Sequence, residues 1–260
     1  MVRSYPESEV TELLKITRYQ LKGPELKIAV VADLHGEPSE ELITALKEEQ
    51  PDLIAVPGDL CTIGESDGKV VDPVKRERRL QGQERALEFL ETASDIAPVF
   101  YSRGNHEWGC DDEYRDKVKA TGATLLENTW IHFGHILMGG LTSAKHYGLE
   151  GATEKAPLPD IEWLRKRPEG YKTLLLCHHP EYYDLVKDYA DYVLSGHTHG
   201  GQWRFFGRGI FAPGQGLFPK YSRGQYGKMI VSAGLSNPAS VPRLFNPTEL
   251  VIVEMKDENE

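Results

Sequence analysis

No apolar run in this 260-residue chain reaches the ~20 positions that a helix needs to cross a bilayer, so a transmembrane segment is not expected. Residues 1–9 show neither a basic stretch before an apolar core nor a paired arginine, so no export signal is read there and the cytoplasm is the expected location. Cysteine is scarce. Cys61, Cys110 and Cys177 have no metal-finger spacing and leave an odd count, which fits a reducing interior better than a disulfide framework. An excess of positive charge is also missing. At a formal net charge of -10 a long phosphate backbone meets a generally repulsive surface, which disfavours nucleic acid as a partner. No Pro/Gly/Ser-rich linker divides the chain, so residues 1–260 are read as a single domain. With 40% hydrophobic and 27% charged residues, the composition is that of an ordinary folded protein.

Histidine, by contrast, is concentrated. Six of the nine histidines fall in short polar clusters: Asp33-Leu34-His35, Gly104-Asn105-His106-Glu107, Cys177-His178-His179-Pro180 and Gly196-His197-Thr198-His199-Gly200. Gly58-Asp59 makes a fifth cluster. Four clusters follow apolar runs of strand character, at residues 26–31, 53–56, 99–101 and 173–177. Continuous Val/Ile/Leu runs mark strands buried on both faces, and ligands in open α/β sheets collect beyond the carboxyl ends of such strands. Together the clusters read as a two-metal hydrolase site.

Between them the pattern alternates strand and helix. Ser39 is a candidate N-cap for a helix through Glu49 with Leu42, Ile43 and Leu46 on one face. A polar loop from Thr62 to Asp72 leads to a helix over 77–94 with Leu80, Leu87, Phe89 and Leu90 apolar, and a third helix covers 113–120, ending at Gly122. The N-terminal stretch 10–19 reads as an amphipathic helix or strand. Further strand-like runs at 124–126, 130–141, 192–194, 229–231 and 250–253 are too many for one simple sheet, so two packed sheets with helices outside are expected.

Mixed Asp, His and Asn donors suit Mn, Fe or Zn better than an all-oxygen set would. A metal pair about 3.5 to 4 Å apart needs a shared carboxylate, and Asp59, at the middle strand end, is the natural candidate. Two such cations would add +4 locally, which tempers any reading of the net charge.

In order, the five clusters resemble the motifs of the calcineurin-like metallophosphoesterases, from about Ile28 to Gly200. The segments 211–216, 218–221, 234–236 and 245–247 resemble its bacterial YkuE-like branch, which includes phosphodiesterases. The resemblance implies a four-layer α/β/β/α sandwich of two mixed sheets. It implies two divalent metal ions, Mn, Fe or Zn, one held by Asp33, His35, Asp59 and His199 and the other by Asp59, Asn105, His178 and His197. It further implies in-line attack on phosphorus by a metal-held hydroxide, with His106 as the catalytic histidine outside the metal shell, assisting the leaving oxygen. Arg103, two residues before Asn105, is a candidate contact to a phosphate oxygen. The implied partner is a small-molecule or lipid-linked phosphate ester, and the reaction is hydrolysis of a phosphodiester or pyrophosphate rather than a simple monoester.

Plainer readings stand beside these. Of the adjacent His178 and His179 only one is expected to be a metal ligand, because successive strand residues face opposite ways; His179 is read as structural or orienting. His132, His135 and His146 are read as surface or core residues. The aromatic and basic segment 202–228 is a packed hairpin or, on the sharper reading, a substrate platform beside the metals. The polar stretch 62–79 is read as a solvated loop rather than a lid. Rival functions are a scaffold of the same fold that has lost catalysis, a superfamily nuclease, and a phosphomonoesterase.

Overall fold

Apolar runs buried on two faces at once shape this molecule. In the computed structural model, which describes residues 14–63, 72–143, 157–237 and 241–257, sixteen strands and four α-helices follow one another along the chain. The first half runs β1 (Lys15–Lys22), β2 (Leu26–Val30), α1 (Glu40–Glu49), β3 (Leu53–Val56), α2 (Pro73–Ile96), β4 (Val99–Ser102), α3 (Asp112–Ala120), β5 (Thr124–Leu126), β6 (Thr129–Phe133) and β7 (Ile136–Leu141). The second half runs β8 (Lys172–Cys177), α4 (Tyr183–Val186), β9 (Tyr192–Ser195), β10 (Arg204–Phe205), β11 (Arg208–Gly209), β12 (Phe211–Ala212), β13 (Gly216–Leu217), β14 (Gly224–Tyr226), β15 (Met229–Val231) and β16 (Glu249–Lys256).

Two six-stranded mixed sheets result, ordered β1-β16-β2-β3-β4-β5 and β14-β15-β9-β8-β7-β6. In the first, β2, β3, β4 and β5 are parallel, with Ala29 opposite Ile54 and Ala55 opposite Phe100, while β16 runs antiparallel to β2. In the second, β7, β8, β9 and β15 are parallel, and β6 and β14 close the edges antiparallel.

Alternation along each strand sorts the core. From the first sheet, Ala29, Ile54, Val56, Tyr101 and Ile252 face Leu42 and Leu46 of α1, Phe89 and Leu90 of α2 and Val118 of α3. Their neighbours Ile28, Val30, Leu53, Ala55 and Phe100 face Met138, Leu174, Leu176, Leu194 and Ile230 of the second sheet. The second sheet's outer face is covered by Trp163 and Leu164 on a single turn of 3-10 helix (Glu162–Lys166), by Val186 of α4 and by Tyr221. The expected α/β/β/α sandwich is therefore present, with a fourth layer of short turns rather than long helices.

Local expectations can be compared one by one. Ser39 caps α1, its Oγ accepting from the Leu42 amide at 3.1 Å, as its position before the periodic run suggests. The second helix begins earlier than expected, at Pro73, because Asp72 caps it and proline suits the first turn. Part of the stretch read as a solvated loop, 73–79, is thus helical. Leu80 lies on its exposed side, since the buried stripe runs through Gly82, Ala86, Phe89, Leu90 and Ala93 at helical spacing. Residues 15–22 form a strand because their backbone pairs with all of β16. Residues 10–13, 64–71 and His146, part of these expectations, lie outside the described residues. No helix among the described residues is long and apolar enough to cross a membrane.

Candidate metal centre

The carboxyl ends of β2, β3 and β4 in one sheet and of β8 and β9 in the other converge on one buried pocket of polar side chains. Asp33, Asp59, Asn105, His178, His197 and His199 are all buried. Asp59 is the junction: its Oδ2 lies 3.2 Å from His178 Nε2 and 3.8 Å from both His35 Nε2 and His106 Nε2. Asn105 Oδ1 lies 3.1 Å from His178 Nε2, and Asp33 Oδ1 3.9 Å from His199 Nε2. Among the described residues, three groups have donor atoms close enough together to share a cation: Asp33, His35 and His199; His35, Asp59 and His106; and Asp59, His178 and His197. His35 belongs to two of these, and so does Asp59.

Backbone conformation explains how residues so close in sequence reach one point. Asp33, His35, Asp59, His197 and His199 all have φ between 45° and 69°, a region L-residues enter at a cost unless the surroundings impose it. For His197 and His199 this local twist replaces the strict alternation of an extended strand and brings both imidazoles to the same pocket. Gly58, at φ 115°, allows the closest approach; a Cβ there would stand 2.6 Å from the Gly104 nitrogen and 2.7 Å from His178 Nδ1.

Burial sets the charge states. It pushes the Asp33 carboxyl upward, with Asp59 adding to the effect and His178 opposing it. Asp59 is buried as deeply, yet His178 and His106 hold its carboxyl well below the usual carboxylate range. Desolvation would lower His178, but the Asp59 carboxylate outweighs it and raises the imidazole to about 9. His35, His106, His197 and His199 are lowered, chiefly by burial, His199 to about 3. Neutral imidazole is the form that ligates metal. Both ring nitrogens of His35 and Nδ1 of His199 are buried without a hydrogen-bond partner, a condition that costs roughly 1–3 kcal/mol per group unless something is bound there. Carboxylates, neutral imidazoles and orphaned nitrogens at one point fit a divalent cation.

Supporting residues complete the pocket. His106 Nδ1 meets Thr62 Oγ1 at 2.9 Å, and the His106 backbone N–H donates to Asp59 Oδ1 at 2.9 Å, which leaves Nε2 facing inward. His179 points elsewhere: its Nδ1 meets Ser143 Oγ at 2.9 Å and its ring packs on His197 at 4.2 Å between centroids. Arg103 is engaged with Glu127 Oε1 at 2.6 Å, an ion pair that ties its guanidinium to the turn after β5. His132 and His135 are exposed, His132 against Tyr171.

Three residues here had no assigned role in the sequence. Glu107, fully buried, accepts from the backbone N–H groups of Gly104, Asp59 and Cys61 at 2.7, 3.1 and 3.0 Å, tying two ligand loops together. Burial pushes its carboxyl up to about 7. Arg243 donates to the carbonyls of Ala233, Asn246 and Ser236 at 2.7 to 2.9 Å, and Asn246 in turn donates to the His199 carbonyl. Glu181 is half-buried with its carboxylate oxygens shielded from solvent, and its Oε1 and His197 Nε2 both flank Gly214. Glu107 sits inside a noticed cluster. The other two left no local signal, because their partners are backbone groups or distant residues.

A family model described as calcineurin-like phosphoesterase matches residues 26–201. The chain belongs to that family. Among curated relatives it is 28% identical to an uncharacterized metallophosphoesterase of Campylobacter jejuni, over 89% of this chain and 59% of the relative. It is 26% identical to one of Aquifex aeolicus, over 95% of this chain and 93% of that protein. A Helicobacter pylori metallophosphoesterase is 26% identical over 91% of this chain and 61% of its own length. The chain thus spans about three fifths of the Campylobacter and Helicobacter relatives and nearly all of the Aquifex one. Family membership and the pocket's Asp and His groups, which could hold a metal ion, agree with one another.

Proposed function

We propose that the chain is a dinuclear phosphoesterase that hydrolyses a phosphodiester or pyrophosphate bond of a small or lipid-linked substrate. The observation that carries this reading is Asp59, a buried carboxylate that faces His35 on one side and His178 on the other. In the proposal Asp33, His35 and His199 hold one cation, Asn105, His178 and His197 the other, and Asp59 both. Divalent cations, Mn first among Mn, Fe and Zn, would supply an activated water and neutralise charge on the phosphoryl oxygens.

The chain's own residues do the rest. Asp33 accepts the His197 backbone N–H at 3.0 Å, which fixes the two-histidine turn against the first sheet. His178 Nδ1 lies 3.1 Å from the Pro57 carbonyl, so that carbonyl orients the ring toward Asp59. His106, held by Thr62 through Nδ1, presents Nε2 to the pocket and assists the leaving oxygen. Arg103 anchors the loop of Asn105 through Glu127 and, if that pair opens, reaches a phosphate oxygen.

Hydrolysis of bis-p-nitrophenyl phosphate and of p-nitrophenyl phosphate by Mn-loaded protein, beside chelator-stripped protein, tests the reading. Metal-dependent turnover that favours the diester is expected. Preference for the monoester would move the assignment to phosphatases. No turnover of either substrate with less than one metal per chain would favour a scaffold.

A further inference from the structure

Charge is unevenly distributed along the chain. Residues 192–248 contain no aspartate or glutamate but six cations, Arg204, Arg208, Lys220, Arg223, Lys228 and Arg243, in a protein of net charge -10. Within the fold, Arg243 is buried among carbonyls and Arg223 pairs with Glu249, whereas Arg208 and Lys220 are exposed, Lys220 with Asp184 at 3.3 Å.

Half of the exposed large hydrophobic residues among those described fall within 205–245 of this same segment. Phe206 is fully exposed at the β10–β11 turn, Phe218 is 76% exposed after β13, and Phe245 is 78% exposed beyond the Trp203–Leu244 bridge. Each has a positive φ, of 50°, 54° and 53°. A bulky residue in that region costs roughly 1–2 kcal/mol that glycine would avoid, so these three tips hold an aromatic ring in water at the expense of backbone strain. Folding alone gives no return for that arrangement.

The tips are bound to one another and to the metal centre. The Phe205 ring packs edge-on against Phe245 at 5.7 Å, the Phe218 N–H donates to Ile210 O at 2.8 Å, and the Ile210 N–H donates to Gly201 O at 3.1 Å, two residues beyond His199. Exposed apolar side chains gathered by these contacts, with Arg208 and Lys220 two residues beyond Phe206 and Phe218, mark an interaction site. A two-fold pairing with a second copy would oppose more cations than acids, since the segment itself carries no carboxylate and Asp184 of α4 lies beside Lys220. Stacking with bases would use the rings but not Leu217, Val241 or Leu244, aliphatic side chains without a π-face that are also exposed here. Hydrocarbon beneath anionic headgroups suits all of them.

We infer that the exposed apolar tips of this segment dock on an anionic lipid bilayer, with Phe206, Phe218 and Phe245 entering the interface, Arg208 meeting lipid phosphates and Lys220 exchanging Asp184 for them. The inference is independent of the metal-centre reading.

Co-sedimentation of the full chain with phosphatidylcholine vesicles, with and without about one third phosphatidylglycerol, tests it. The wild-type chain is expected to pellet with the anionic vesicles. The Phe206→Gly, Phe218→Gly, Phe245→Gly triple variant should lose binding about tenfold or more while its thermal midpoint stays level or rises, since glycine relieves the strain. Arg208→Glu with Lys220→Glu should lose about tenfold on anionic vesicles and be unchanged on neutral ones. The inference is overturned if the wild-type chain ignores anionic vesicles, or if the triple variant binds them as wild type does. It is equally overturned if the same substitutions abolish a dimer or oligonucleotide binding with no vesicle binding present.

Discussion

The two outer faces of the double sheet are clad in different material. Over the first sheet lie three helices whose buried stripes, Leu42 and Leu46, Phe89 and Leu90, Tyr114 and Val118, press on Val56, Tyr101 and Ile252. Over the second lie one-turn helices and Tyr221, and after β9 the chain passes through a run of two-residue strands, β10 to β13. Among the described residues, eight of the eleven positive-φ residues other than glycine are Asp33, His35, Asp59, His197, His199, Gln202, Phe206 and Phe218, all in the proposed ligand loops or in the segment after β9. The contrast teaches that regular packing supplies the stability with which irregular, strained backbone is held where chemistry and binding occur.

If that division is real, substitutions on the two sides separate activity from stability. The largest effect is expected at Asp59: Asp59→Ala should reduce metal-dependent diester turnover by about a thousandfold or more, a loss on the order of 4 kcal/mol, with the fold retained by circular dichroism. Phe89→Ala on the helical side should cost about 3–5 kcal/mol in chemical denaturation, with turnover per folded molecule unchanged. Glu107→Ala bridges the two behaviours. It strips three backbone N–H groups of their acceptor, so both stability and metal affinity should fall, stability by about 3 kcal/mol. Ser39→Ala should cost only about 1 kcal/mol, read in the same denaturation.

Glu181 sharpens the comparison through pH. Burial raises its carboxyl from the ordinary 4.5 to about 7, so folding favours its protonated form. The stability this group contributes is complete below pH 4.5 and is lost as pH rises through about 7. Glu181→Gln in metal-free protein should therefore raise the thermal midpoint at pH 8 relative to wild type and leave it nearly level at pH 4.5. An equal shift at both pH values would remove Glu181 from this role.

Much of the regular half is legible in the sequence. Continuous apolar runs at 28–31, 53–56 and 173–177 mark strands buried on both sides, and Ser39 marks a helix start. Periodicity misleads at Leu80, because a helix rich in charged residues carries a leucine off its stripe. The proposed ligand loops are legible for another reason: carboxylate, amide and imidazole donors are side-chain groups, so Asp33, His35, Asp59, Asn105, His178, His197 and His199 leave residue-type signals after strands. Arg243 and Glu181 leave none. The partners of Arg243 are carbonyls brought near by the fold, Glu181 comes beside Gly214 only in the fold, and the sequence around each is ordinary. The tips at Phe206, Phe218 and Phe245 are visible as aromatics, but only the backbone angles show that the fold holds them in strain.

Metal content joined to turnover tests the central claim most directly. Protein purified without chelator should be analysed for Mn, Fe and Zn, stripped, reloaded, and assayed on bis-p-nitrophenyl phosphate at each stage. Two cations per chain, activity lost on stripping and regained on reloading, with neither binding nor activity in Asp59→Ala, is the predicted result. Undiminished hydrolysis by the fully stripped chain would contradict the account.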